Sequence, residues 1–78
     1  MQLDILTPGK TLYSGEASVV TFPGADGKFQ VMNDHAPLIA TLAEGQVVIK
    51  DAKGKTESVD IAGGVVEISS NNISVLAR

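Results

Sequence analysis

The feature that most constrains this chain is the period of its apolar residues. Leu3 and Ile5 alternate with Gln2 and Asp4, Phe29 and Val31 with Lys28 and Gln30, and Val59 and Ile61 with Ser58 and Asp60. Val47 and Ile49 oppose Gln46, Val48 and Lys50, while Val66 and Ile68 oppose Glu67 and Ser69. A repeat of two puts one face of a strand in a core and the other in water. No window carries an apolar stripe at i, i+3, i+4, i+7 over three turns, so the pattern specifies an all-β chain. Each run is closed by turn residues: Thr7-Pro8-Gly9, Gly15, Pro23-Gly24, Gly45, Gly54, Ala62-Gly63-Gly64 and Asn71-Asn72. Short strands punctuated this often predict a small two-sheet β-sandwich or flattened barrel.

In order, strands are expected over residues 2–6, 11–14, 17–22, 28–32, 38–42, 46–50, 56–61, 66–69 and 73–76. Asp26-Gly27 stands just before Lys28 and supplies the positive φ of a hairpin, which makes residues 17–32 an antiparallel pair. A second break follows at once. Asn33 and Asp34 tolerate left-handed backbone and Pro37 pushes Ala36 toward extended conformations, so residues 33–37 form a sharp corner. His35, the only histidine, lies inside it. Leu38, Ile39 and Leu42 resume the apolar run, giving a two-strand unit about an exposed corner.

Seventy-eight residues make one domain, residues 1–78, near the size where a single core is marginal alone and docking to a partner is a common supplement. With Tyr13, Phe22 and Phe29 as the only aromatics, the core must be aliphatic, which suits close-packed sheets. The absence of Cys excludes disulfides and thiolate sites. A net charge of −3, with six basic residues scattered from Lys10 to Arg78, leaves no patch dense enough for nucleic acid. No apolar run approaches the roughly 20 residues that span a bilayer, and MQLDIL has no signal-peptide pattern. A soluble chain without direct membrane insertion is expected, and docking on a membrane protein stays open.

Catalytic readings are thin. His35 beside Asp34, with Asp26 and Lys28 nearby, offers a general base or half a metal site. A nucleophile is missing, since Ser14, Ser58 and Ser69 fall on turn or strand positions without an elbow around them. One His among Asp residues lacks the ligand spacing of zinc. Gly24, Gly27, Gly45 and Gly63-Gly64 open no helix and are better read as strand ends than as a phosphate cradle. Lys53, at a predicted hairpin tip over residues 51–55, raises the biotin or lipoyl carrier domains as an alternative, although their flanking pattern is missing. No catalytic residue, metal, cofactor or small-molecule substrate is expected. A carrier or free-standing β-sandwich binding module is the alternative function.

Taken together, GKFQVMNDHAPLIATLAEGQVVI, IAGGVVEI and NNISVLA resemble the amino-terminal β domain of the F-type ATP synthase epsilon subunits. The resemblance runs through Leu3 to Leu6, Ser14-Gly15, Gly24 to Gly27, the His35-Ala36-Pro37-Leu38 corner, Gly45 and Gly63-Gly64, in order and over the whole chain. It implies a ten-stranded sandwich at the foot of the rotating central stalk, a non-catalytic subunit gripping the gamma subunit and resting on the c-subunit ring. By this similarity Gly24, Ala25, Asp26, Gly27, Lys28, Phe29, Asn33, Asp34 and His35 face the c-ring. His35, Ala36, Pro37, Leu38, Ile39, Ala40 and Thr41 approach gamma. The implied location is peripheral, on the cytoplasmic face of the bacterial inner membrane, and the implied work is coupling of rotation to ATP synthesis. Two departures stand out. Family members usually continue into a carboxyl-terminal pair of helices that restrains ATP hydrolysis, whereas these residues stop at Arg78, so no ATP-sensing brake is expected of them. Lys28 stands where many relatives carry an acidic residue.

Overall fold

Each alternating run is a strand in the computed structural model, which describes residues 1–78. The strands are β1 (Gln2–Thr7), β2 (Lys10–Glu16), β3 (Val19–Phe22), β4 (Phe29–Met32), β5 (Leu38–Leu42), β6 (Gly45–Lys50), β7 (Thr56–Ile61), β8 (Gly64–Ser69) and β9 (Asn72–Ala77). One sheet has the order β2-β1-β9-β8-β5 and the other β4-β3-β6-β7. All pairings are antiparallel except β1 with β9, where Leu3 lies beside Ile73 and Ile5 beside Val75. The chain is a two-sheet β-sandwich, as its periodicity requires.

The inward sets of the two sheets meet in one aliphatic core. Leu3, Ile5, Val66, Ile68, Ile73 and Val75 come from the five-stranded sheet, and Val20, Phe22, Val31, Val47, Ile49 and Ile61 from the four-stranded one. No polar or charged residue is buried, so no side chain in the interior needs a compensating partner. Phe22 packs against Phe29 with ring centroids 5.5 Å apart.

Three expectations change in detail. Nine strands form rather than ten, and Gly24 makes only an isolated bridge to Leu42. The strands flanking the corner do not pair with each other: β4 pairs with β3 and β5 with β8. Val31 and Leu42 both point into the core but from opposite sheets, so residues 33–37 must climb the roughly 10 Å between layers instead of folding back in one. The last hairpin turns on Ser70 and Asn71, with φ of 44° and 64°, one residue earlier than the Asn71-Asn72 pair. Two consecutive positive φ values define the type I′ turn that matches strand twist.

Gly64 is demanded by close packing. Gly64 has φ 150°, and a Cβ there would lie 2.3 Å from the Leu76 carbonyl oxygen, so only glycine lets β8 start this close to β9.

Candidate functional site

The loop from β3 to β4 closes one side of the sandwich. β5 is an edge strand, and its free edge is met by this loop: the Gly24–Leu42 bridge, Ala25 N–H donating to the Thr41 carbonyl at 2.9 Å, and Ala43 N–H donating to Pro23 at 2.8 Å. These bonds cover backbone that would otherwise invite another strand. The loop itself turns through Gly27 N–H to Gly24 C=O at 3.0 Å. Gly24 is fixed by space, since a Cβ would come within 2.4 Å of the Gly27 carbonyl and 2.9 Å of the Phe29 ring.

An open cleft of about 610 Å³ lies along this side, lined by Gly24, Ala25, Asp26, Gly27, Lys28 and Phe29 from the loop and by Leu38, Ile39, Ala40 and Thr41 from β5. The structure thus brings together two stretches that are separate in the sequence. Asn33, Asp34 and His35 are not part of the cleft. They sit at the far end of β4, while Ala36 and Pro37 are exposed between the two regions.

The corner is tied to the β8–β9 turn. Asp34, at φ 63°, donates its N–H to Asn71 Oδ1 at 2.7 Å and accepts from Asn71 Nδ2 at 3.1 Å. Asn33 Oδ1 accepts from the Met1 amine at 3.0 Å, and that amine also reaches the Ala17 carbonyl and pairs with Glu16 at 3.3 Å. His35 N–H donates to the Met32 carbonyl at 3.2 Å, and its Nδ1 lies 2.7 Å from the Ala36 carbonyl. The Asp34 carboxylate is therefore engaged by Asn71, and the His35 ring by a backbone carbonyl. Neither arrangement is that of a carboxylate-oriented base.

A second feature lies largely outside the stretches that the sequence singles out. Ile39 is 69% exposed, Leu76 64% and Val65 43%, and with Glu67 and Ser74 they line a shallow depression on the outer face of the five-stranded sheet. Val65 is paired with both Thr41 and Leu76 across the sheet. The signal was available in the alternation. Ile73, Val75 and Ala77 occupy the inward phase, so an apolar Leu76 in the outward phase is out of step, as is Val65 beside Val66. Near β1 the apolar surface continues through Leu6 and Pro8 beside Leu76 and Ala77.

On the opposite side, burial pushes the Tyr13 phenol above its ordinary value of 10.0, and the Glu57 and Asp51 carboxylates push it further. Lys53 stands at the exposed β6–β7 turn, where Asp51 Oδ1 accepts from the backbone N–H of Lys53 and of Lys55, each at 2.9 Å.

The chain is thus a two-sheet sandwich with an aliphatic core, a cleft along one edge and an exposed apolar patch on the outer face of its five-stranded sheet. Residues 1–78 match the family described as ATP synthase, Delta/Epsilon chain, beta-sandwich domain. The chain belongs to that family. It is 44% identical over 77 residues to the ATP synthase epsilon chain of Chlorobium limicola, covering 99% of this chain and 88% of that protein. It is 38% identical to the epsilon chain of Caulobacter vibrioides over 100% of this chain and 90% of the relative. The epsilon chain of Sulfurimonas denitrificans is 42% identical, but the match spans only 60% of its length. Among solved structures, a chain of the Euglena gracilis mitochondrial ATP synthase OSCP/F1/c-ring assembly superposes with a TM-score of 0.89 at 17% identity, over 96% of this chain and 48% of that one. A chain of the Tetrahymena thermophila mitochondrial ATP synthase central stalk and c-ring gives 0.78 at 18% identity, over 97% and 61%. At such identities these two show a shared fold.

Proposed function

We propose that residues 1–78 act as the β-sandwich domain of a non-catalytic central-stalk subunit of a proton-translocating ATP synthase, docking on the gamma subunit and on the c-subunit ring. The observation that carries this reading is the continuity of the docking surface. The loop of residues 24–29 and strand β5 line one cleft, and from Ile39 the apolar surface runs on to Val65 and Leu76. An exposed apolar patch on so small a domain marks a surface meant to be covered. In this reading the apolar outer face with β5, including His35 to Thr41, takes gamma. The polar loop Gly24 to Phe29 and the corner Asn33 to His35 take the ring. The domain sits at the periphery of the bacterial inner membrane on its cytoplasmic face, and its contribution to coupling is a rigid interface. Reconstitution tests the proposal: ATP synthase depleted of its epsilon chain is supplied with this protein and assayed for proton-driven ATP synthesis. Restored synthesis supports it, and unchanged synthesis despite a folded protein opposes it.

A further inference from the structure

The loop between β3 and β4 covers the free edge of β5 only in part. In a strand the N–H and C=O of one residue point to the same side, and alternate residues share that side. The Thr41 carbonyl accepts from Ala25 on the loop, so Thr41 and Ile39 face the free edge while Ala40 between them faces β8. A loop that stayed extended in the register of the Gly24–Leu42 bridge would bring Gly27 opposite Ile39. Instead the Gly27 N–H closes back on the Gly24 carbonyl at 3.0 Å, and the loop turns away. None of the backbone bonds outside the strands reaches Ile39, and Pro37, the next residue on that side, has no N–H to give. The Ile39 N–H and C=O therefore form an unpaired rung in an open cleft, beside an exposed side chain.

We infer that the β5 edge at Ile39 is a strand-addition site, taking an extended peptide segment of a partner protein whose backbone closes this rung. It rests on the docking reading above and gives that reading a mode of binding, in which backbone bonds supply affinity and the flanking side chains supply selectivity. Residues opposed on neighbouring strands put their side chains on one face. The central residue of the segment thus lies beside Ile39 on the outer face shared with Val65 and Leu76, where an apolar side chain fits. The two-fold pairing of a second copy is blocked. In an antiparallel pairing through Ile39, Pro37 of one copy would stand opposite Thr41 of the other, where Ala25 already sits. The occupant is a different chain, one that ends or bends beyond a single rung.

Amide hydrogen exchange of the 15N-labelled protein, alone and saturated with purified gamma subunit, tests it. Alone, the Ile39 N–H should exchange at least about 100-fold faster than that of Ala40, which faces β8, and with gamma it should slow at least about tenfold. A slow Ile39 amide in the dilute free protein means that the chain closes the rung itself, and overturns the inference. Slowing on raising the concentration of this protein alone also overturns it, because the occupant is then a second copy. Gamma binding is also compared for Ile39→Ala and Ile39→Pro, which both lose the side chain while only Pro loses the N–H. Proline is tolerated on an edge whose N–H faces outward, and unshifted β8 and β9 amides check that fold. Ile39→Pro should bind about five- to tenfold more weakly than Ile39→Ala. If Ile39→Pro does not fold, the exchange of the parent protein decides alone. Equal binding by the two folded variants, or an Ile39 amide that stays fast in the complex, would refute strand addition while leaving the docking reading intact. A folded parent that binds no gamma would refute the docking reading, and the strand-addition site with it.

Discussion

Asp34 and Asn71 hold each other by a reciprocal pair of hydrogen bonds, backbone N–H to Oδ1 at 2.7 Å and Nδ2 to Oδ1 at 3.1 Å, each residue at a positive φ. Two left-handed turns 37 residues apart in the sequence thus lock together, and the corner between the sheets takes its shape from the β8–β9 turn. Asn71→Ala removes the side-chain partner and places a residue with no local hydrogen bond at φ 64°, so a loss of about 1–2 kcal/mol is expected. Asn71→Gly removes the same bonds without the backbone cost and should lose less. Urea melts of both variants check the order.

Gly24→Ala forces a methyl to within 2.4 Å of the Gly27 carbonyl and against the Phe29 ring. Displacing that backbone and the Phe22–Phe29 contact should cost about 1–3 kcal/mol and disturb the cleft. Gly27, whose Cβ would meet nothing, stays constrained only by its φ of 126°. The thermal midpoint of Gly24→Ala, with amide shifts of residues 24–29 and 38–41, measures both consequences.

Tyr13 is the single tyrosine and the chain has no tryptophan, so its titration can be followed directly by absorbance. Its folded pKa lies above the ordinary 10.0, first through burial and then through Glu57 and Asp51. The folded state therefore keeps a proton that the unfolded chain releases. The stability this supplies is complete below pH 10 and is lost as pH rises through the folded value. Glu57→Gln should lower the midpoint only in part, because burial is the larger cause. In Tyr13→Phe the alkaline loss of stability should flatten. A midpoint at or below 10.0 contradicts the assignment.

Much of this fold could be read because the strands are half-buried: one face in, one face out, as with Leu3 and Ile5 or Val66 and Ile68. Each of the nine expected stretches overlaps one of the nine strands. Pairing was less legible. Nothing in residues 28–42 says whether two strands joined by a five-residue corner share a sheet, because Val31 and Leu42 are inward either way. The parallel β1–β9 pair joins the two ends of the chain and leaves no local signal at all. The cleft joining residues 24–29 to β5 rests on the same long-range closure. Val65 and Leu76 were detectable as apolar residues in the wrong phase, but a strand read only for its inward face hides them.

The outer face of β5, β8 and β9 is the proposed gamma docking surface. Equilibrium binding of purified gamma subunit to the parent, Ile39→Asp, Leu76→Asp and Ala36→Asp proteins tests it, with Lys53→Ala on the distant β6–β7 turn as the control. Far-ultraviolet spectra should show that each variant keeps its β fold. A carboxylate at an exposed apolar position costs the free domain little but must be desolvated on docking, at about 2–4 kcal/mol. Ile39→Asp and Leu76→Asp should therefore bind gamma at least about 30-fold more weakly, with Ala36→Asp also impaired and Lys53→Ala equal to the parent. If folded Ile39→Asp and Leu76→Asp bind gamma as tightly as the parent, this face is not the docking surface.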